Sequence, residues 1–170
     1  MRARWRCSKA NSSPIPAASI PSRPVQGRRA PHSGCFCIGL AAGNEVLAPT
    51  SAFLSTVIPI FTCKAIPVLV NADSETGLLD PADLERHIIP HTKAIVVAHL
   101  FGFPVPMRPV KANAQRYGLK IVEECTQAMG VQCHGQKPGA FGNVAIVSFQ
   151  EKKMVLASEE GMLLPNDPEI

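Results

Sequence analysis

Lys93-Ala94-Ile95-Val96-Val97-Ala98 is a mostly apolar run in which polar and apolar side chains do not alternate. Such a run is typical of a strand that is buried on both faces, as in a parallel sheet covered by helices. Further short apolar runs predict strands, and they cover residues 45–48, 66–70, 119–123, 144–148 and 162–164. Helical stretches separate several of these runs. The sequence therefore predicts an α/β fold with a mostly parallel sheet flanked by helices.

Two predicted helices have recognisable ends. Asp80 is a suitable N-cap residue, and Pro81 occupies the first helical position, where its missing N–H costs no hydrogen bond. A second helix is predicted over residues 107–117, with Gly118 following as its C′ residue. A third helix is predicted over residues 51–62, although a proline inside it indicates a kink or a late start.

The net charge of +4 is unevenly distributed along the chain. Residues 1–44 contain seven Arg or Lys residues and no Asp or Glu, whereas the remainder carries ten basic and thirteen acidic residues. The remainder therefore lacks the basic balance typical of nucleic-acid binding, and we expect no nucleic-acid partner. Residues 1–32 combine the excess positive charge with five prolines and no signal-peptide core, which predicts a disordered segment.

The six cysteines are scattered, with neither a CxxC pair nor the spacing of a zinc site. We therefore predict no metal centre. Scattered thiols suit a reducing cytosol, where disulfides rarely persist. No apolar run approaches the roughly 20 residues that a membrane span requires. These features together predict a cytoplasmic protein without membrane association.

Sheets of this kind bind ligands at the carboxyl ends of their strands, and three segments fall there. They are Glu123-Glu124-Cys125-Thr126-Gln127, Ser148-Phe149-Gln150-Glu151-Lys152-Lys153 and Pro49-Thr50-Ser51-Ala52-Phe53. Adjacent carboxylates that leave a strand point to opposite faces, so one of them can face a ligand. A lysine there is a candidate imine-forming amine, and an aromatic ring can stack on a planar cofactor. Taken singly, however, such residues are more often solvated charge or core packing.

In this order and spacing, the motifs resemble the DegT/StrS-type family of pyridoxal-phosphate-dependent sugar aminotransferases, which have fold type I. The matching pieces are GNEVLAPTSAF, PVLVNADSETGLLDP, HTKAIVVAHLFG, YGLKIVEECTQAMG, PGAFGNVAIVSFQ, and EEGMLL with its trailing ND. The resemblance runs from about Gly43 to Asp167 and covers less than half of a typical member. It implies that residues 43–170 are part of a three-layer fold type I large domain.

The resemblance also implies roles for residues at matching positions. Lys153, five residues after Ser148, matches the lysine that forms a Schiff base with pyridoxal 5′-phosphate. Ser148 matches a serine that contacts the cofactor phosphate, and Gln127 matches a polar residue close to the ring. Glu124 lies where the family has an aspartate against the pyridine nitrogen. Phe53 matches the aromatic residue that stacks on the ring.

The activity implied by the resemblance is transfer of an amino group from glutamate to a keto group of a nucleotide-linked sugar. The full-length form would be a homodimer. Upstream of Gly43 the match is expected to stop. Where the family has an SGT phosphate loop and a long helix, this chain reads Ser33-Gly34-Cys35-Phe36-Cys37 and keeps only the SG pair.

Three alternatives remain at this point. The chain can be a truncated, inactive product or an interaction module of the same fold, because the family's small domain is missing after Ile170. A sugar dehydratase of the same family has its Schiff-base lysine replaced, and Lys153 argues against that activity. An unrelated doubly wound binding domain without a cofactor would require several motifs to coincide.

Overall fold

The computed structural model describes residues 23–26, 30–133, 135–150, 153, 155 and 160–168. Seven strands and four helices lie within these residues. In chain order they are β1 (Arg23–Gln26), α1 (Ala30–Cys37), β2 (Glu45–Pro49), α2 (Leu54–Thr62), β3 (Ile66–Val70), α3 (Pro81–Arg86), β4 (Thr92–Ala98), α4 (Met107–Tyr117), β5 (Lys120–Glu124), β6 (Val144–Ser148) and β7 (Glu160–Pro165).

The strands form one sheet in the order β1-β7-β6-β5-β4-β2-β3. The five strands from β3 to β6 are parallel to their neighbours, whereas β7 is antiparallel to both β6 and β1. The predicted mostly parallel sheet is therefore confirmed. Because β2, β4, β5 and β6 run the same way, their carboxyl ends meet at one edge of the sheet, which we call the carboxyl edge.

Helices cover both faces of the sheet, which confirms the three-layer architecture. In the interior strand β4, Ile95 packs into a cluster with buried side chains of α3 and α4. Its neighbour Val96 packs on the opposite face, in a cluster with buried side chains of α1 and α2. Burial on both faces is the reason that residues 93–98 show no alternation of polar and apolar side chains.

The predicted helix ends agree with the structure at two places. The Asp80 side chain accepts a hydrogen bond from the Ala82 N–H at 2.8 Å and so caps α3. Gly118 follows α4 with a φ of 67°, a conformation that glycine adopts without strain. The helix predicted from residue 51 begins only at Leu54, because Phe53 is extended, with a ψ of 141°.

The structure differs from the predicted disorder of residues 1–32 wherever it describes them. Residues 23–26 form β1, and α1 begins at Ala30; residues 1–22 and 27–29 lie outside the described residues. The prediction of disorder used the number of prolines and did not consider where each proline lies in a strand or helix. Pro24 lies in a strand at the end of the sheet, and Pro31 lies in the first turn of α1. At both places a missing N–H is tolerated.

The structure also corrects the interpretation of Ser33-Gly34. The pair lies inside α1 and not in a loop that starts a helix. A Cβ atom on Gly34 would lie 3.1 Å from Ile146 Cγ2 and 3.4 Å from Val122 Cγ1. The glycine therefore lets α1 pack close against β5 and β6. Its role here is helix–sheet packing, and the expectation that it was the remnant of a phosphate loop was wrong.

Candidate active site

The predicted site residues lie along the carboxyl edge. Glu124 and Ser148 are the last residues of β5 and β6, and Phe53 follows the end of β2. Gln127 and Lys153 lie three and five residues beyond β5 and β6. Lys152, its neighbour in the sequence, lies outside the described residues.

Lys153 and Phe53 are brought together although one hundred residues separate them in the sequence. The Lys153 Nζ atom lies 4.8 Å from the centroid of the Phe53 ring, within the range of a cation–π contact. The Phe53 side chain is 62% exposed, so it is not part of the core. Core packing, the common role of such a residue, is therefore wrong for Phe53, and its ring face lies beside a primary amine.

Glu124 and Ser148 are connected through one threonine. Glu124 is 7% exposed, and its Oε1 atom accepts the Thr126 N–H at 3.0 Å. The Thr126 hydroxyl oxygen in turn accepts the Ser148 N–H at 3.0 Å. Solvation, the common state of an acidic pair at a strand end, does not apply here, because the Glu124 carboxylate is buried.

Gln127 holds the turn that follows β4. Its Oε1 atom accepts the Phe101 N–H at 3.3 Å, and its main-chain carbonyl accepts the Gly102 N–H at 2.8 Å. Phe101 has a φ of 54°, which is unusual for a residue with a Cβ atom, and its side chain is 79% exposed. The sequence predicted a place for Gln127 near the ligand but not this structural connection. Among the described residues, no hydrogen bond or ion pair joins Gln127 or Glu124 to Phe53 or Lys153.

The sequence did not predict the buried pair formed by Glu123 and His99. Each side chain is 0% exposed, and His99 Nε2 lies 3.1 Å from Glu123 Oε2. The other ring nitrogen, Nδ1, accepts the Val105 N–H at 3.0 Å, which assigns the ring proton to Nε2. His99 therefore donates to the carboxylate while it holds the segment after β4.

Glu123 also organises the loop between β5 and β6. Its Oε2 atom accepts the Gly139 N–H at 2.8 Å, and its Oε1 atom accepts the N–H groups of Phe141, at 2.7 Å, and Gly142. Burial raises the carboxyl pKa, but the hydrogen bonds from His99 and the backbone outweigh burial, so the pKa of Glu123 is lowered. The glycine-rich stretch and the acidic pair were the available sequence signals for this network; an isolated histidine gave none.

His99, Glu123 and Cys125 place a nitrogen, an oxygen and a sulfur atom within 4.8 Å of one another. Each Glu123 oxygen already accepts two N–H groups, which a metal ion would have to displace. Burial and the two neighbouring glutamates raise the pKa of the Cys125 thiol well above its usual value, which keeps it protonated. The hydrogen bond between His99 and Glu123 accounts for the proximity of these two side chains.

The groups at the carboxyl edge fit pyridoxal 5′-phosphate by their chemistry. That cofactor requires a primary amine for its aldehyde, a carboxylate for its pyridine nitrogen, an apolar face for its ring and donors for its phosphate. The amine is that of Lys153, and the carboxylate is that of Glu124. Phe53 offers the apolar face, and Ser148 offers a donor for the phosphate. A carboxylate held in place by the Thr126 N–H is a suitable fixed partner for a protonated ring nitrogen.

Curated relatives of this chain include an aminotransferase and a GDP-perosamine synthase. L-Glutamine:2-deoxy-scyllo-inosose aminotransferase of Streptoalloteichus tenebrarius is 38% identical over 132 residues, which are 78% of this chain and 31% of the relative. GDP-perosamine synthase of Caulobacter vibrioides is 35% identical over 144 residues, which are 85% of this chain and 39% of the relative. The chain thus spans between 31% and 39% of the length of these two relatives.

Solved structures that share the fold include an aminotransferase and a protein with a bound cofactor. An aminotransferase from Psychrobacter cryohalolentis aligns with a TM-score of 0.83 at 28% identity, over 87% of this chain and 38% of that protein. NtdA of Bacillus subtilis, whose structure contains the bound cofactor PMP, aligns with a TM-score of 0.81 at 26% identity, over 88% of this chain and 34% of that protein.

The family model described as the DegT/DnrJ/EryC1/StrS aminotransferase family matches residues 27–170. The match therefore begins upstream of Gly43, where the sequence motifs alone had led us to expect its start. It includes all of α1, whose close packing on the sheet was described above. An unrelated binding domain is excluded by this match. The chain belongs to the DegT/DnrJ/EryC1/StrS aminotransferase family.

Proposed function

We propose that this chain is the cofactor-binding part of a pyridoxal 5′-phosphate-dependent aminotransferase. The parent enzyme would transfer an amino group from glutamate to a keto group of a nucleotide-linked sugar. The observation that carries the proposal is the Lys153 amine, 4.8 Å from the centre of the exposed Phe53 ring at the carboxyl edge. The printed names of relatives, GDP-perosamine synthase among them, support the sugar substrate.

Each site residue has a role in this proposal. When bound, the cofactor supplies an electron sink, which accepts the electron pair of the C–H bond when the proton leaves. Lys153 would hold the cofactor through its amine and then, once released, carry that proton as a general base. Glu124 would keep the ring nitrogen protonated, and Phe53 would support a face of the ring. Ser148 would donate to the phosphate, and Gln127 would lie near the ring.

The same proposal extends to the assembly and the location of the protein. We propose a cytoplasmic enzyme that acts as a homodimer in its full-length form, on small molecules and not on nucleic acid. Exposed apolar side chains on α1 and α2, such as Phe36 and Phe61, support an interface on that layer. None of the described helices is long and apolar enough to cross a membrane.

A second candidate is a chain of the same fold that does not catalyse the reaction but binds another subunit. The observation that favours it is the exposed apolar surface of α1 and α2, which suits a contact with another chain. The two candidates differ in whether the carboxyl edge accepts the cofactor at Lys153.

Covalent trapping of the cofactor tests the proposal. The 170-residue chain is incubated with pyridoxal 5′-phosphate and reduced with borohydride, and the labelled peptide is identified by mass spectrometry. We expect the label on Lys153, its loss in Lys153→Ala and its retention in the matched neighbour variant Lys152→Ala. A label on Lys152, or one spread evenly over many lysines, would show that the site assignment is wrong. The absence of any label would favour the interaction module.

A further inference from the structure

Thr126 joins two residues of the proposed site that come from neighbouring strands. It donates its main-chain N–H to Glu124 Oε1, and its hydroxyl oxygen accepts the Ser148 N–H, both at 3.0 Å. Thr126 itself is only 2% exposed. We propose that Thr126 is a positioning residue that holds the main chain at Ser148 in the place where Ser148 can bind the cofactor phosphate. This inference rests on the function proposed above.

The hydrogen bond from the Ser148 N–H to the Thr126 hydroxyl takes the place of a main-chain bond between β5 and β6 that is not formed here. β5 and β6 are parallel neighbours up to Ile146, whose carbonyl accepts the Cys125 N–H at 2.9 Å. The carbonyl of Cys125 then turns away from β6 and accepts the Ala128 N–H at 3.0 Å. The Ser148 N–H, which points toward β5, finds its acceptor in the Thr126 side chain instead. One hydroxyl therefore continues the ladder beyond the end of β5.

The other edge of β6 remains in the sheet. Ser148 lies opposite Gly161 of β7, and the Phe149 N–H donates to the Glu160 carbonyl at 2.9 Å. The end of β6 is thus held by β7 on one side and by the threonine on the other. Removal of the hydroxyl would leave Ser148 held from one side only.

Two substitutions separate the functions of Thr126. Thr126→Val keeps the side-chain shape and the main-chain N–H that Glu124 accepts, but removes the acceptor of the Ser148 N–H. Thr126→Ser keeps both hydrogen bonds. The valine variant therefore disturbs the phosphate end of the proposed site and leaves the Glu124 end intact. Thr126→Ala also removes the acceptor and serves as a second variant if valine impairs folding.

The experiment compares two ligands that differ by the phosphate group. Binding of pyridoxal 5′-phosphate and of pyridoxal to the 170-residue chain is measured by absorbance titration, with thermal melting as a check on folding. In Thr126→Val we expect about tenfold weaker binding of pyridoxal 5′-phosphate, as expected for a polar group left without its partner, and unchanged binding of pyridoxal. Thr126→Ser should bind both compounds like the wild type.

The possible outcomes separate this inference from the proposed function. Equal weakening for both ligands would assign Thr126 a general structural role and overturn the inference, as would unchanged binding of both. In either case the wild-type chain still carries the borohydride label at Lys153, and the proposed function stands. A wild-type chain that binds neither compound and takes no label would overturn both.

Discussion

Glu123 Oε2 lies 3.1 Å from His99 Nε2, and both side chains are entirely buried. The carboxylate is adjacent to Glu124 in the sequence, yet its partners are His99 and the loop after β5 rather than the proposed site. The two neighbouring glutamates therefore have different roles. Glu123 connects three segments of the chain, whereas Glu124 accepts the N–H of Thr126 at the proposed site. This division leads to two of the predictions below.

Replacement of Glu123 by glutamine should destabilise the protein by about 2–4 kcal/mol, because an amide cannot accept all four N–H groups and charged hydrogen bonds are lost. The lowered pKa means that the carboxylate contributes stability above its ordinary pKa, 4.5, and that this contribution disappears as the pH falls through the lowered folded value. The stability difference between wild type and Glu123→Gln should therefore shrink in acid.

Urea unfolding at a series of pH values measures this difference. The matched control is Glu75→Gln, which changes an exposed glutamate and should leave stability within about 0.5 kcal/mol of the wild type. A difference for Glu123→Gln that stays constant down to the acid transition would contradict the assignment of a charged, hydrogen-bonded carboxylate.

Replacement of Glu124 should separate cofactor attachment from catalysis. In Glu124→Ala the borohydride label at Lys153 should persist, since attachment does not require a protonated ring nitrogen. The release of 2-oxoglutarate from glutamate should fall by at least about a hundredfold, because the electron sink is weakened. Glu124→Asp should retain the reaction, since a shorter carboxylate can still accept the Thr126 N–H two residues on. Loss of the label in Glu124→Ala would count against the proposed role.

Gly142 should not tolerate a side chain. A Cβ atom there would lie 2.8 Å from the Ile121 carbonyl oxygen, which is main chain and cannot rotate away. Gly142→Ala should therefore cost about 2–3 kcal/mol in thermal or urea unfolding. Gly34→Ala is the comparison: its nearest contact is 3.1 Å to a methyl group of Ile146, which can shift, so the cost should be smaller. The reverse order would show that the loop adjusts more easily than the α1 contact.

The apolar face of α2 should promote self-association. Leu54, Ile58 and Phe61 lie on one side of the helix with exposed fractions of 69%, 46% and 60%. We expect sedimentation to show dimers or larger species of the 170-residue chain, and we expect Ile58→Glu to reduce them. Ile89→Glu, at an apolar residue of similar exposure (43%) outside this face, is the matched control. A monodisperse monomer at high concentration would contradict this prediction.

The sequence predicted well those helices and strands whose first and last residues are set by local signals, such as an apolar run or a glycine at a helix end. β3 covers residues 66–70 as predicted, and Gly118 ends α4 with the predicted left-handed backbone. Proline was the less reliable signal, because its effect depends on position. Pro24 and Pro31 suggested disorder by their number, yet each occupies a place where a missing N–H costs little.

At the site, the rule that ligands bind at strand ends located Glu124, Ser148 and Phe53 along one edge of the sheet. The contacts of His99 and Thr126 could not be predicted in this way, because their side-chain partners are 24 and 22 residues away in the sequence. A single buried histidine or threonine carries no periodic pattern. Its role depends on packing that only the folded chain reveals.

The order of strands in the sheet also bears on how the protein forms during synthesis. Of the described strands, β1 is the first to leave the ribosome, but its neighbour in the sheet is β7, which is the last of them. The parallel strands β2 to β6 can assemble before β1 finds its partner, and a long loop must close before β1 and β7 meet. A nascent chain therefore presents β1 as an unpaired strand until β7 has left the ribosome, and during this time β1 is open to pairing with another chain.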